Sequence, residues 1–224
     1  PILARAPDGS RQPSFAQPTL VVPADAHRLF PCFDQPDLRA RFSIRLDLPN
    51  DWVAVSNSPL AEDGLSQIPN GQRWRFEPTE PLPTYLMAFA CGAFDIINGP
   101  VLQADGIDRD KPFRIFMRPA KRKDLDVDAI VKLHDRGLNW IAESFDVPYP
   151  FGKLDIGLLP GFPYGGMEHA GAIFYRETAL VFDHPPTGAE LVRRSTLVYH
   201  ELSHQWFGNL VTMKWFDDLW LKEG

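Results

Sequence analysis

The chain is short of cysteine, has no long apolar run and carries no surplus of positive charge. Its two cysteines, Cys32 and Cys91, are too few for a disulfide framework or a cysteine-based zinc knuckle, and they fit either redox state. The longest apolar stretch, about Tyr85 to Phe94, is interrupted by Gly92, far short of the roughly 18 residues that a membrane-crossing helix needs. Lys and Arg number 23 against 29 Asp and Glu. The net charge of −6, with no basic run beyond Lys121-Arg122-Lys123, argues against a surface that tracks nucleic-acid phosphates. No basic-then-apolar leader opens the sequence, so no targeting segment is visible. The expectation is a soluble protein whose compartment stays unassigned, cytoplasmic or secreted and periplasmic alike. Proline is missing after Pro186, which leaves the last forty or so residues free to be helical.

Hydrophobic residues at 44% and charged residues at 23% are ordinary globular usage and supply a real core. Fifteen of the 22 prolines fall in residues 1–118, so that half should be strands and loops. Arg41 to Leu48 alternates polar and apolar, the pattern of a half-buried strand. Trp52 to Val55, Gln72 to Phe76, Thr84 to Phe94 and Phe113 to Met117 read similarly, between turns such as Pro69-Asn70-Gly71. Beyond Arg118-Pro119 the period changes. Asp124 to Phe145 carries apolar residues at helical spacing, Leu154 to Leu159 and Ala172 to Phe182 read as strands, and Gly188 to Phe207 reads as a helix. A last helix should begin at Asp217, a good N-cap residue. The expected fold is α+β: an antiparallel β domain over 1–118, then an α/β domain over 119–224. The first fifteen or so residues read as a loop or ragged end.

The second helix carries His200-Glu201-Leu202-Ser203-His204. Two histidines four apart stand on one helical face, one turn from each other. Both imidazoles can then reach one metal ion, and zinc suits imidazole nitrogen but needs a third ligand. Glu223, separated from His204 by eighteen residues, can supply it if Gly208-Asn209 turns the last helix back alongside. Two His and one Glu make the catalytic kind of site, with a position left for water, rather than the closed structural kind. Glu201, beside the ligands and not among them, is the candidate general base toward that water. The plainer alternative is a chance match on an amphipathic helix.

Several separated stretches resemble the M1 aminopeptidases, zinc exopeptidases with a thermolysin-like catalytic domain. His200 to Thr212 and Trp215 to Gly224 are similar to that family's zinc-site consensus. Phe30-Pro31-Cys32-Phe33-Asp34-Gln35-Pro36 resembles a landmark of its N-terminal β domain, and Gly165-Gly166-Met167-Glu168-His169 its Gly-x-Met-Glu-Asn signature. The resemblance implies one zinc per chain and a zinc-activated water with Glu201 as base. It implies peptide substrates with a free N-terminus and release of the first amino acid. It gives Glu168 the substrate's α-amine, and Gly165, Gly166 and Met167 the alignment of the peptide. It also implies that the β domain and the catalytic domain are both incomplete here, with the remainder of the catalytic domain required. An oxyanion-stabilising Tyr lies beyond the third ligand in that family.

Two positions depart from the pattern. His169 replaces Asn; it either contacts a substrate carbonyl or serves as a structural histidine. Val22 stands where many members place a second amine anchor, and Asp25 is the candidate to replace it, against a plainer role as a loop or cap residue. Asn209, Asp217 and Asp218 are candidates to orient the ligands. The rival functions are a non-catalytic zinc-containing binding module and a bifunctional aminopeptidase and epoxide hydrolase.

Overall fold

The structure, a computed structural model, describes residues 17–22 and 24–224; the expectation for the first fifteen residues lies outside them. The proline-rich part folds into short strands, because each proline removes a ladder donor. In chain order they are β1 (Gln17–Pro18), β2 (Arg39–Ala40), β3 (Arg45–Leu48), β4 (Val53–Ser56), β5 (Leu60–Ile68), β6 (Gly71–Phe76), β7 (Leu82–Pro83) and β8 (Phe89–Gly92). They pair antiparallel in the orders β1-β8-β4, β3-β6-β5 and β2-β7. β3 keeps the predicted alternation, with Leu46 and Leu48 buried and Arg45 and Asp47 exposed. The strand expected over Thr84 to Phe94 is broken instead. Thr84–Leu86 form a 3-10 turn after Pro83, and the ladder resumes at Phe89. Residues 82–92 are buried throughout, and an unbroken apolar run has no period to reveal such a turn.

The second unit holds β9 (Asp95–Asn98), β10 (Arg114–Met117), α1 (Val127–Phe145), β11 (Asp155–Leu159), β12 (Gly166–Met167), β13 (Ala172–Arg176), α2 (Glu177–Leu180), α3 (Gly188–Ser203) and α4 (Trp220–Glu223). Its five strands form one sheet of order β12-β13-β11-β10-β9. β10, β11 and β13 run parallel, and β9 and β12 are antiparallel edges. This sheet crosses the boundary expected at residue 118: β9 and β10 belong to it, and the sheets divide near Phe94. Alternation along β10 announces a strand without naming its neighbours, which is why the sequence grouped it with the β layer.

Asp126 caps α1 by accepting a hydrogen bond from the Ala129 N–H at 3.1 Å. Thr187 and Glu190 form a reciprocal capping box at the start of α3. The two helices pack side by side on the sheet over Ile130, Leu138, Val198 and Leu202, all fully buried. Gly137 sets their spacing, since a β-carbon there would come within 2.6 Å of the Leu202 side chain. α3 ends at Ser203, short of the expected Phe207, so His204 is its C-cap. β13 likewise ends at Arg176, where α2 begins. Asp217 does not cap the last helix: it lies inside a 3-10 turn, Phe216–Asp218, and α4 follows without a side-chain cap.

The two units are tied through Lys153. Its buried ammonium donates to the Ser56 carbonyl of the β layer, to the Gly171 carbonyl and to Asp155, each at 2.8 Å. Asn57 adds bonds from its amide to the carbonyls of Leu86 and Ala170. Among the described residues no helix is long and apolar enough to cross a membrane, and both cysteines are free thiols.

Candidate active site

α3 packs against the edge strand β12 and brings its last turn to a cleft of about 430 Å³. His200 and His204 stand on one face of that turn with their Nε2 atoms 3.1 Å apart. Glu223, carried back by α4, places Oε2 at 3.4 Å from His200 Nε2 and 3.6 Å from His204 Nε2. Atoms held roughly 2.0–2.1 Å from one tetrahedral ion lie roughly 3.3–3.4 Å from each other, so this triangle has the size of a shared coordination sphere. The three side chains form a group able to hold a metal ion. His204 is oriented for it: its Nδ1 faces the Phe207 carbonyl at 3.0 Å. With the proton on Nδ1, the Nε2 lone pair points at the other two donors. Burial pushes the His204 imidazole pKa down, which favours the neutral form a ligand needs. Two imidazole nitrogens and one carboxylate oxygen are a donor set suited to zinc.

Asn209, Asp217 and Asp218 do not orient these ligands. The Asn209 amide donates to the Glu168 carbonyl at 2.7 Å, and both aspartates sit in the turn before α4. The group that orients His204 is a backbone carbonyl, and no side-chain pattern announces it.

Glu201 lines the same cleft. Its carboxyl lies against the backbone of Gly166 in β12. The side chain is buried, and Oε2 has no hydrogen-bond partner among the described residues. Burial, with the Glu168 charge nearby, pushes its pKa well above the usual carboxylate range. A buried acceptor left without a partner is costly in a purely structural role, and it faces a cavity where a proton could be exchanged.

β12 pairs with β13 on one side and is the outer strand of its sheet. Gly165, Gly166, Met167 and Glu168 all line the cleft, so an extended peptide could lie along that edge. Glu168 is almost fully buried. Burial alone would raise its pKa, but the Lys222 ammonium paired with it outweighs burial and holds the carboxyl below its ordinary range. Gln205 and Asn209 both donate to the Glu168 backbone carbonyl, at 2.9 and 2.7 Å, and so fix where the side chain begins.

Two candidates are not brought to the cleft. His169 is fully buried, with its ring 4.9 Å from that of Phe174, and does not line the cavity. Burial lowers its pKa to about 4. It sits in the core, away from the residues that line the cleft. Asp25 stands at the start of the 3-10 turn Ala26–Arg28 with its carboxylate 3.6 Å from Arg28. Val22, not Asp25, lines the cleft. Tyr85 and Lys222 line the cleft as well, and no motif in the sequence marks either. Tyr85 donates to the Gly208 carbonyl at 2.9 Å, and adjacency to Glu223 was the one available sign for Lys222.

The chain thus sets an edge strand beside a helix that presents two histidines and an adjacent glutamate, on a mixed α+β scaffold. The Peptidase M1 N-terminal domain matches residues 9–86 and the Peptidase family M1 domain residues 130–224. The chain belongs to peptidase family M1. It is 40% identical over 199 residues to aminopeptidase N of Streptomyces lividans, covering 89% of this chain and 22% of that protein. It is 40% identical over 207 residues to aminopeptidase M1 of Arabidopsis thaliana, covering 90% and 22%. Human aminopeptidase N is 39% identical over 209 residues, covering 90% and 20%. The chain thus spans about a fifth of the length of these relatives.

Proposed function

We propose that the protein carrying this chain is a zinc aminopeptidase that hydrolyses the first peptide bond of peptides with a free N-terminus. The observation that carries this reading is the convergence of His200, His204 and Glu223 within 4.8 Å, with Glu201 and Glu168 lining the same cleft. His200, His204 and Glu223 would hold the metal. Zinc at such a site acts as a Lewis acid and makes water a nucleophile near neutral pH.

The chain's own groups do the rest. Glu201, unpartnered and with a raised pKa, accepts a proton from the attacking water and returns it to the leaving amine. The edge of β12 at Gly165 to Met167 holds the peptide extended. Glu168 accepts the α-ammonium, so the first peptide bond and no later one reaches the reacting position. The division of the chain into a β layer ending near Phe94 and a catalytic unit from there on supports the same reading, because the cleft lies where the two meet.

The test is the whole protein assayed on aminoacyl-arylamides and on their N-acetylated counterparts, with zinc measured by atomic emission. One zinc per chain and cleavage of the free-amine series alone are expected. Equal cleavage of both series would defeat the exopeptidase reading, and a zinc-loaded protein that cleaves neither would favour a non-catalytic binding module.

A further inference from the structure

Glu168 already has a cation. The Lys222 ammonium forms an ion pair with the Glu168 carboxylate and a second one with Glu223 Oε1 at 2.9 Å. The Lys222 side chain is 7% exposed and that of Glu168 4%, so water screens the pair little. The ammonium also lies 5.4 Å from the centre of the Tyr85 ring, a distance at which the ring face attracts it. Three features therefore hold Lys222 in place: a carboxylate on β12, a carboxylate on its own helix, and an aromatic ring from the β layer. The cleft also offers Val22, which brings no charge to share the work.

We propose that Lys222 is a specificity-determining residue: its ammonium occupies the carboxylate that receives the substrate's α-ammonium and thereby weakens recognition of a charged N-terminus. This deepens the aminopeptidase reading and rests on it. An arriving ammonium must share Glu168 with a cation that is already bound and buried. Two like charges a few ångström apart repel strongly at the effective dielectric of a protein interior. An unpaired buried carboxylate, by contrast, has much to gain from any cation that reaches it. Substrate binding in this enzyme should then depend less on the α-amine and more on the apolar wall formed by Val22, Met213, Phe216 and Leu219. Glu223 and Tyr85 keep Lys222 from swinging away, so the competition is built into the site.

The experiment compares the whole protein with Lys222→Met, Lys222→Gln and Lys222→Arg. Two substrates are used, leucine 4-nitroanilide and its analogue with hydrogen in place of the amine. Zinc content is measured throughout, and isopentylammonium binding is followed by calorimetry. Removing the cation should lower KM for the amine substrate roughly ten- to a hundredfold relative to the analogue. Isopentylammonium should bind more tightly by a similar factor. Lys222→Arg keeps the charge and should keep the parent ratio. Lys222→Gln serves if the Met variant fails to fold. A KM ratio and ammonium affinity unchanged in the neutral variants would overturn the proposal. So would parallel loss of both substrates together with zinc, because Lys222 would then merely hold Glu223. A parent that cleaves neither substrate would defeat the aminopeptidase reading instead, and the ammonium affinities alone would decide the role of Lys222.

Discussion

Acid should weaken this fold through His134, a histidine far from any expected chemistry. Its ring is fully buried between α1 and the sheet. Nδ1 lies 2.8 Å from the Ile130 carbonyl and Nε2 lies 3.2 Å from the Tyr175 hydroxyl. The neutral ring satisfies both, with a proton on Nδ1 and a lone pair on Nε2 facing the hydroxyl. Burial lowers its pKa from 6.5 to about 4. Between those two values the unfolded chain binds a proton that the folded protein refuses. Stability is therefore complete above pH 6.5 and falls as the pH drops toward 4. Each pH unit inside the window costs up to about 1.4 kcal/mol, so going from pH 7 to 4.5 costs about 2 to 3 kcal/mol at this one ring. His169, also lowered to about 4 by burial, adds a similar amount. Together they take a large share of the roughly 5–15 kcal/mol that holds a domain folded. The assay is urea unfolding at pH steps from 7 to 4.5, on the parent and on His134→Asn. The variant keeps a donor for Ile130 and leaves the Tyr175 hydroxyl short of a partner, so it should start about 1–3 kcal/mol lower at pH 7. Its curve should then fall less steeply, and the gap should narrow by about 2 to 3 kcal/mol at pH 4.5. Titration of the other histidines is common to both proteins and cancels in the difference. Curves that run parallel across the window would refute the reasoning.

Three further outcomes are expected. Glu201→Gln should keep zinc, because Glu201 is outside the ligand triangle, and should lose turnover by on the order of 10²–10⁴; atomic emission and steady-state rates read both, and near-parental turnover would remove Glu201 as the base. Glu168→Ala should raise KM for free-amine substrates while zinc content stays unchanged, and a parallel loss of zinc would recast Glu168 as a support of the metal site. Lys153→Met strands the buried Asp155 carboxylate with Arg114 alone and removes a bond between the two units. It should cost about 3–5 kcal/mol, and an unchanged melting temperature would show that the pair contributes nothing.

What the sequence determined by itself was the chemistry that depends on spacing along one element. His200 and His204 share a helical face because four residues make about one turn, and Glu201 must then project beside them. The presence of α1, β3 and β11 followed from period in the same way. The Gly165 to Glu168 stretch lines the cleft. What only the tertiary structure decided was every question of neighbours. The alternation along β10 could not say that its partners are β9 and β11, so the expected boundary fell after a strand that belongs to the second sheet. Position along the chain could not tell Val22, which faces the cleft, from Asp25, which pairs with Arg28. His169 follows Glu168 directly, yet the turn after β12 buries it against Phe174. Lys222 was legible only as a charge next to Glu223. Its pairing with Glu168, fifty-four residues away, exists because α4 folds back across the end of β12. Contacts between elements depend on packing, and local period carries no record of them.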